Sequence, residues 1–547
     1  MAQLSARYVC QNCKRRKKRC DKALPKCTQC KELEAECAYQ INPDTSAGEI
    51  QQIQFRLMRL ETLLLPQLRE FNFSDNNSIE SSQSQKSHQS QQSQVSQPPS
   101  PSSSMRSEAT LNGVQQLLTA VANSVFRSDN AQMTEDDILE AYFNHIDKWL
   151  PILSEKRLYK KFARDRLVNR PPETDLLLMC MYLLVKDPSS LDSREDMHEN
   201  YKNLRTIFFM LQAKSADLLE LAQSGLMLAT YEHVSGHIEQ AYSTIWACVR
   251  MLHSLRLEDK FRISMDDNYD KQTECAEAHA LWWATLIRDR FINLEDQMRD
   301  RPIASRHPNL DDYTPVNVSA WESSSVITPL LKRRLSDRSS GQLSPDSFER
   351  EAKACYHLSQ ILDWRSQGVV STHVRTIAAP IEDFLSRLMD PSTGTRGTFC
   401  GATSMAITSI YELFSSYNPN DDILVARSQL YLSQDAKLVL STMTRIVIDI
   451  ANTFNETFDS FNIATISPSY SYLMYRAGMH VLLTADTSCK KTLQDFYALR
   501  RCCWYFSQRW LVASTYLETL EKSAGALEMS LPYLGQPVKL NNGQPGL

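Results

Sequence analysis

The stretch CQNCKRRKKRCDKALPKCTQCKELEAEC, residues 10–37, carries six cysteines, Cys10, Cys13, Cys20, Cys27, Cys30 and Cys37, around an unbroken run of six cations at residues 14–19. The spacing is C-x2-C-x6-C-x6-C-x2-C-x6-C, two similar halves that each hold a C-x2-C pair and a third cysteine. A zinc ion takes four tetrahedral ligands, and thiolates suit it. Six cysteines cannot fill two separate four-ligand sites, but they complete two if two sulfurs bridge both ions. Two zinc ions per chain are therefore the expected cofactor. A disulfide framework needs an oxidising compartment, and no apolar signal segment opens the sequence. An eight-ligand zinc site of the RING or LIM kind normally includes histidine, and the first histidine here is His88.

A segment this short cannot bury a core, so the metals must supply its folding free energy. Residues 1–40 hold ten Lys and Arg against four Asp and Glu, a side-chain balance of +6 in a chain whose formal net charge is −4. A basic head on an acidic body points to a polyanion partner for the head. A run of cations held between metal ligands is fixed in place, whereas a free run reads as a solvated face or a nuclear import signal. Phosphate contacts would give it salt-dependent affinity, and base-edge contacts would give it sequence choice.

Residues 10–37 resemble the fungal binuclear zinc cluster (Zn(2)-C6) transcription factors. The resemblance implies that Cys10 and Cys27 bridge the two zinc ions, that Cys13 and Cys20 complete one site, and that Cys30 and Cys37 complete the other. It places a turn-making proline at Pro25. It further implies that the short helix after Cys13 enters the major groove of double-stranded DNA at a CGG-type triplet. Lys17 falls on the base-reading position with Arg16 beside it, and Lys14 and Arg19 fall on backbone-contacting positions. Arg16 stands where members of the family often have lysine. The implied protein is a nuclear, sequence-specific RNA polymerase II transcription factor, more an activator than a repressor. It would control a metabolic or biosynthetic gene set and work with transcriptional coactivators.

Beyond the cluster domain (1–40) comes a polar linker (41–49) that ends in an S-x-x-E capping box at residues 46–49. Ile50, Ile53, Leu57, Leu60 and Leu64 then repeat in 3-4-3-4 spacing, a heptad seam closed by Pro66. The expectation is a short coiled coil over 50–66 that makes the chain a homodimer. The alternative is one amphipathic helix packed on its own chain. Residues 67–109 are Ser/Gln-rich and poor in apolar residues, as expected of a disordered linker. Serines before Gln or Pro, Ser100 and Ser344 among them, are candidate phosphorylation sites.

Residues 110–535 have a globular composition and should form a large all-α regulatory domain, with a tail at 536–547. Ile238, Ala241, Tyr242, Ile245, Cys248, Val249 and Leu252 follow the i, i+3, i+4, i+7 pattern. Leu218, Leu221, Leu228 and Tyr231 belong to a partner helix, with Gly236 in the turn. The pieces at 141–153, 218–252 and 281–305 resemble the family's middle homology region. Its landmarks are Trp282-Trp283, Asp289-Arg290 and Arg301-Pro302-Ile303, with Asp300 where a glycine is usual. The two tryptophans read as helix core and Asp289-Arg290 as a structural pair. Residues 329–347 read as an exposed loop, and Lys332-Arg333-Arg334 there as solvated loop cations, with a second import signal the alternative. Residues 518–536 mix acids and apolar residues, a candidate activation segment.

No run of 18 or more apolar residues is present, so no membrane span is expected. H-E-x-x-H, G-x-S-x-G and G-x-x-x-x-G-K-[ST] are absent, so no enzyme is expected. Cys502-Cys503 reads as a buried apolar pair. A protein-interaction scaffold with a purely structural zinc block is the other function class, and the cations inside the ligand set argue against it.

Overall fold

The computed structural model describes residues 10–22, 26–33, 37, 103–127, 133–165, 170–188, 191–214, 218–255, 269–315, 333–336, 344, 346–366, 374–389, 401–414, 422–430, 432–460, 462–530 and 534. They fall in two compact units, residues 1–98 and 99–547. The heptad seam, most of the Ser/Gln-rich stretch, Pro25 and the tail lie outside the described residues.

The first unit holds two five-residue helices, α1 (Gln11–Arg15) and α2 (Thr28–Glu32). The second begins with α3 (Ser103–Arg127), α4 (Glu135–His145), α5 (Glu155–Asp165), α6 (Pro172–Val185), α7 (Leu191–Gln212), α8 (Leu218–Val234), α9 (Ile238–Ser254) and α10 (Tyr269–Leu294). It continues with α11 (Ser347–Ser366), α12 (Val374–Leu388), α13 (Gly401–Phe414), α14 (Ile423–Gln429), α15 (Gln434–Thr457), α16 (Ser469–Thr484), α17 (Lys490–Ser507) and α18 (Val512–Ala526). Among the described residues of the second unit the extended pairing is limited to an isolated bridge between Tyr313 and Arg334. The all-α expectation therefore holds for the body.

Local chemistry sets the helix ends. Thr134 and Asp137 form a reciprocal capping box at the start of α4. Ser433 caps α15 by accepting from the Ala436 N–H at 3.2 Å. α6 (PETDLLLMCMYLLV) opens with proline at its first position and is apolar all round beyond its first turn, so it is buried from Leu176 to Leu184. α8 and α9 form the expected hairpin. Gly236 takes φ +79 there. The Gly236 and His237 N–H groups close onto the His233 and Glu232 carbonyls, a turn that glycine makes at least cost. One apolar core runs from Val114 to Met529 and includes both Trp282 and Trp283. The indole N–H of Trp149 donates to the Ala464 carbonyl at 2.9 Å, so early and late helices share that core.

Asp289 and Arg290, both fully buried on α10, clamp the segment after Arg301-Pro302-Ile303. Arg290 donates to Asp289 Oδ2 (2.8 Å), Ser305 Oγ (2.7 Å), Ser359 Oγ (2.8 Å) and the Arg306 carbonyl (2.9 Å). Asp289 accepts from the Ser305 N–H at 2.8 Å and from the Asn293 side chain at 3.0 Å.

Three expectations for the body need correction. α3 starts at Ser103, inside the stretch read as linker, because no proline follows Pro101 until the helix has ended. The stretch 329–347 is anchored where it is described. Arg333 and Leu335 pair with the backbone of Thr314 and Asp312, and Arg333 meets Glu349 at 3.2 Å. Ser344 is buried, with its carbonyl held by Arg350, so it is no accessible phosphorylation site. Residues 518–526 lie in α18 with Leu520 and Ala524 in the core, so that part is a packed helix face rather than a free activation segment. Cys502 and Cys503 are fully buried, and burial pushes both thiols far up, which suits the apolar reading.

Burial also pushes the Glu351 carboxyl up to about 7, against the opposing pull of the Arg288 charge. Gly401 makes room for it, since a Cβ there would lie 2.6 Å from the carboxyl. A folded pKa above the unfolded value favours the protonated, low-pH form. Its contribution is complete below about pH 4.5 and fades as pH rises through 7. Full ionisation costs on the order of 3 kcal/mol. Thermal melts at pH 6 and pH 8 should therefore show a lower Tm at pH 8, with the difference reduced in Glu351→Gln. An identical pH dependence in that variant would show that Glu351 is not the group responsible.

Candidate metal centre and nucleic-acid interface

The two halves of the cysteine block fold alike. Cys10 occupies the N-cap of α1 at φ −67, ψ 152, and Cys27 the N-cap of α2 at φ −66, ψ 151. Cys13 and Cys30 each stand three residues into the turn. N-cap and third-residue groups converge at a helix start, which is why serine caps reach that N–H. The C-x2-C spacing uses the same geometry to bring two sulfurs together. The Cys13 N–H donates to Cys10 Sγ at 3.3 Å.

The sulfurs form two groups of four, each within 4.8 Å of one another: Cys10, Cys13, Cys20, Cys27 and Cys10, Cys27, Cys30, Cys37. Cys10 and Cys27 belong to both. Their sulfurs lie 3.8 Å apart, with Cys10–Cys30 at 3.7 Å and Cys13–Cys27 at 3.6 Å. A tetrahedron with Zn–S bonds of about 2.3 Å has edges of about 3.8 Å, so the donor set fits zinc. All six cysteines are free, and a disulfide would need about 2.05 Å. Five are buried and Cys20 is half-buried. Among the described residues of this unit the buried side chains are the cysteines themselves.

Two outer contacts were not legible in the spacing. The Asn12 amide donates to Cys30 Sγ at 3.6 Å, tying one half to the other. Asp21 accepts from the Thr28 N–H at 3.1 Å and stands in as the cap of α2, whose own N-cap Cys27 makes no such bond. Caps are sought beside the helix start, and Asp21 is seven residues upstream of Thr28.

The cations sit on the end of α1 and the turn beyond it, and residues 14–19 are all exposed. Arg16 is the C-cap. Lys17 follows in the left-handed region at φ 53, with its N–H on the Lys14 carbonyl and the Lys18 N–H on the Cys13 carbonyl. This is the 5→2 and 6→1 pattern that usually has glycine at the Lys17 position. The matching positions of the second half are Lys31, Glu32 and the half-exposed Leu33, at 52%. Among the described residues the run of exposed cations therefore lies on the first half, against Lys26 and Lys31 in the second. Lys14, Arg16, Lys17 and Arg19 are all exposed in that run. The seam residues 50–64 fall outside the described residues. No helix among the described residues is long and apolar enough to cross a membrane.

Comparison with known proteins agrees with this geometry. Residues 8–46 match the fungal Zn(2)-Cys(6) binuclear cluster domain, and residues 139–362 match the fungal specific transcription factor domain. The chain is 21% identical over 395 residues to the tropolone cluster transcription factor tropK of Talaromyces stipitatus, spanning 67% of this chain and 69% of that protein. It is 22% identical over 342 residues to the abscisic acid cluster transcription factor abl7 of Leptosphaeria maculans, 53% of this chain and 54% of the relative. To the depudecin biosynthesis cluster-specific transcription activator DEP6 of Fusarium langsethiae it is 39% identical over 62 residues, 11% of this chain and 10% of the relative.

Proposed function

From the premise that the chain belongs to the fungal Zn(2)-Cys(6) binuclear cluster transcription factors, which are DNA-binding regulators and not enzymes, we propose that it is a nuclear, homodimeric activator. It reads paired CGG-type triplets. Its domain binds two zinc ions, with Cys10 and Cys27 bridging, Cys13 and Cys20 on one ion, and Cys30 and Cys37 on the other. The observation that carries the reading is a turn held between two groups of four cysteine sulfurs, with a run of exposed cations on its first half. Lys17 reads guanine O6 and N7 in the major groove with Arg16 beside it, while Lys14 and Arg19 hold phosphates. The seam Ile50, Ile53, Leu57, Leu60 and Leu64 joins two chains, which sets two triplets at a fixed spacing. The target is a biosynthetic gene set, in line with the cluster regulators named among the relatives. Coactivators are the expected protein partners.

Selection from random duplex DNA with the full chain, with and without a zinc chelator, tests this. Paired CGG-type triplets should be enriched, and chelation should abolish the enrichment. Lys17→Gly separates reading from folding, because glycine suits φ 53 better than lysine does. The variant should keep its zinc and lose about 1–3 kcal/mol of triplet discrimination. An equal loss on every sequence would show that Lys17 holds phosphate instead. Enrichment of single triplets would remove the dimer.

A further inference from the structure

Six thiolates around two zinc dications carry more negative charge than the metals cancel, so the sulfurs are stabilised by donors around them. A metal-bound cysteine is a thiolate with no proton of its own, and an N–H donated to an ionised acceptor is stronger than one between neutral groups. The Cys13 N–H meets Cys10 Sγ at 3.3 Å, and the Cys27 N–H meets Cys37 Sγ at 3.4 Å. Cys30 takes its donor from a side chain. Asn12 Nδ2 lies 3.6 Å from its sulfur, across 18 residues of sequence. That separation suits an N–H and a sulfur, whose radius exceeds that of oxygen. The other end of the amide would set a carbonyl oxygen against a thiolate, so the NH2 end faces the metal ligand.

This contact crosses the head. Asn12 lies on α1, which leads into the run of cations. Cys30 lies on α2 and belongs to the group Cys10, Cys27, Cys30 and Cys37. The Asn12 carbonyl also accepts the Arg16 N–H at 3.0 Å, one residue before Lys17. One residue thus touches a ligand of the second ion and the turn that carries Arg16 and Lys17. The cysteine repeat does not repeat this amide. Gln29 holds the matching place in the second half and is exposed, whereas Asn12 is half-buried.

We propose that Asn12 is a positioning residue for the zinc ion held by Cys30 and Cys37. Its amide stabilises the Cys30 thiolate and fastens α1 to that ion's site. The inference rests on the ligand assignment given under the proposed function, and it makes the two ions unequal in what holds them. Groups that hydrogen-bond metal ligands carry about 10–100-fold in metal affinity. The loss of this one should be felt at one ion and not at the other.

Chelator competition on the full chain tests this, with cobalt(II) in place of zinc as the optical probe. The wild-type chain should hold two ions. Asn12→Ala should load two and hold one of them about 10–100-fold more weakly, while Gln29→Ala should match the wild type. In Cys20→Ala, which leaves the Cys30–Cys37 ion alone, adding Asn12→Ala should weaken that ion by the same factor. Removing an N–H from a thiolate raises the energy of the sulfur lone pairs. The sulfur-to-cobalt charge-transfer band of Asn12→Ala should therefore move to longer wavelength, and a loss of packing alone would leave it in place. An unmoved band, unchanged affinity, a loss shared equally by both ions or the same loss in Gln29→Ala would each overturn the proposal. With two ions on the wild-type chain, any of these leaves the ligand assignment standing. A wild-type ratio other than two would remove the assignment and the proposal together.

Discussion

Replacing Cys27 by alanine should release both zinc ions, whereas Cys20→Ala should release one. Cys27 belongs to both four-sulfur groups and Cys20 to one. Losing a sulfur shared by two tetrahedra leaves each with three ligands. The described residues of the head offer no other buried side chains to hold it together, since their buried set is the cysteines alone. Structural zinc contributes on the order of 10–16 kcal/mol in small domains, and that is the folding drive available to the cysteine block. Cys27→Ala should therefore carry no zinc by atomic absorption and bind duplex DNA no better than a non-specific polycation. Cys20→Ala should retain one ion and part of the α2 half. One or two ions retained by Cys27→Ala would remove the bridging assignment and point to another ligand entering the site.

The head was legible because its geometry is local. A C-x2-C pair states its own metal site, and the symmetry of the two N-caps follows from the repeat. The α8–α9 hairpin was legible for a similar reason: one face of α9 is apolar, and Gly236 marks the turn. α6 carried no such signal, because a helix buried on every side has no polar face to set its period. The stretch 329–347 reads as a loop by composition, yet its anchors, Asp312, Thr314 and Glu349, come from other elements. Residues 518–526 mislead in the opposite way. Acids spaced among leucines look like an activation segment until Leu520 is seen in the core beneath Gly478, where an added Cβ would lie 2.8 Å from it. The capping of α6 by Arg509 was invisible to any window of sequence, since the two meet across more than 300 residues.

Arg290→Ala should destabilise the body by about 3–5 kcal/mol, read from urea melts of the full chain followed by far-ultraviolet circular dichroism. Adjacent helix residues do not ordinarily face each other, yet Arg290 Nη1 reaches Asp289 Oδ2 at 2.8 Å because both side chains wrap the Ser305 segment. Removing the guanidinium leaves a fully buried carboxylate with its counter-charge gone. It also unties Ser359 on α11 and the Arg306 carbonyl. Lysine cannot replace the fork, since it offers one point charge where four acceptors surround the guanidinium. Arg290→Lys should thus recover less than half of the loss. Asp289→Ala should be costly too, and the double variant should fall short of the summed single losses by about 1–3 kcal/mol, because the second change removes a charge the first had stranded. Strict additivity would mean that the two side chains act independently on residues 304–306. A single-variant loss below about 1 kcal/mol would mean that the segment holds its place without them.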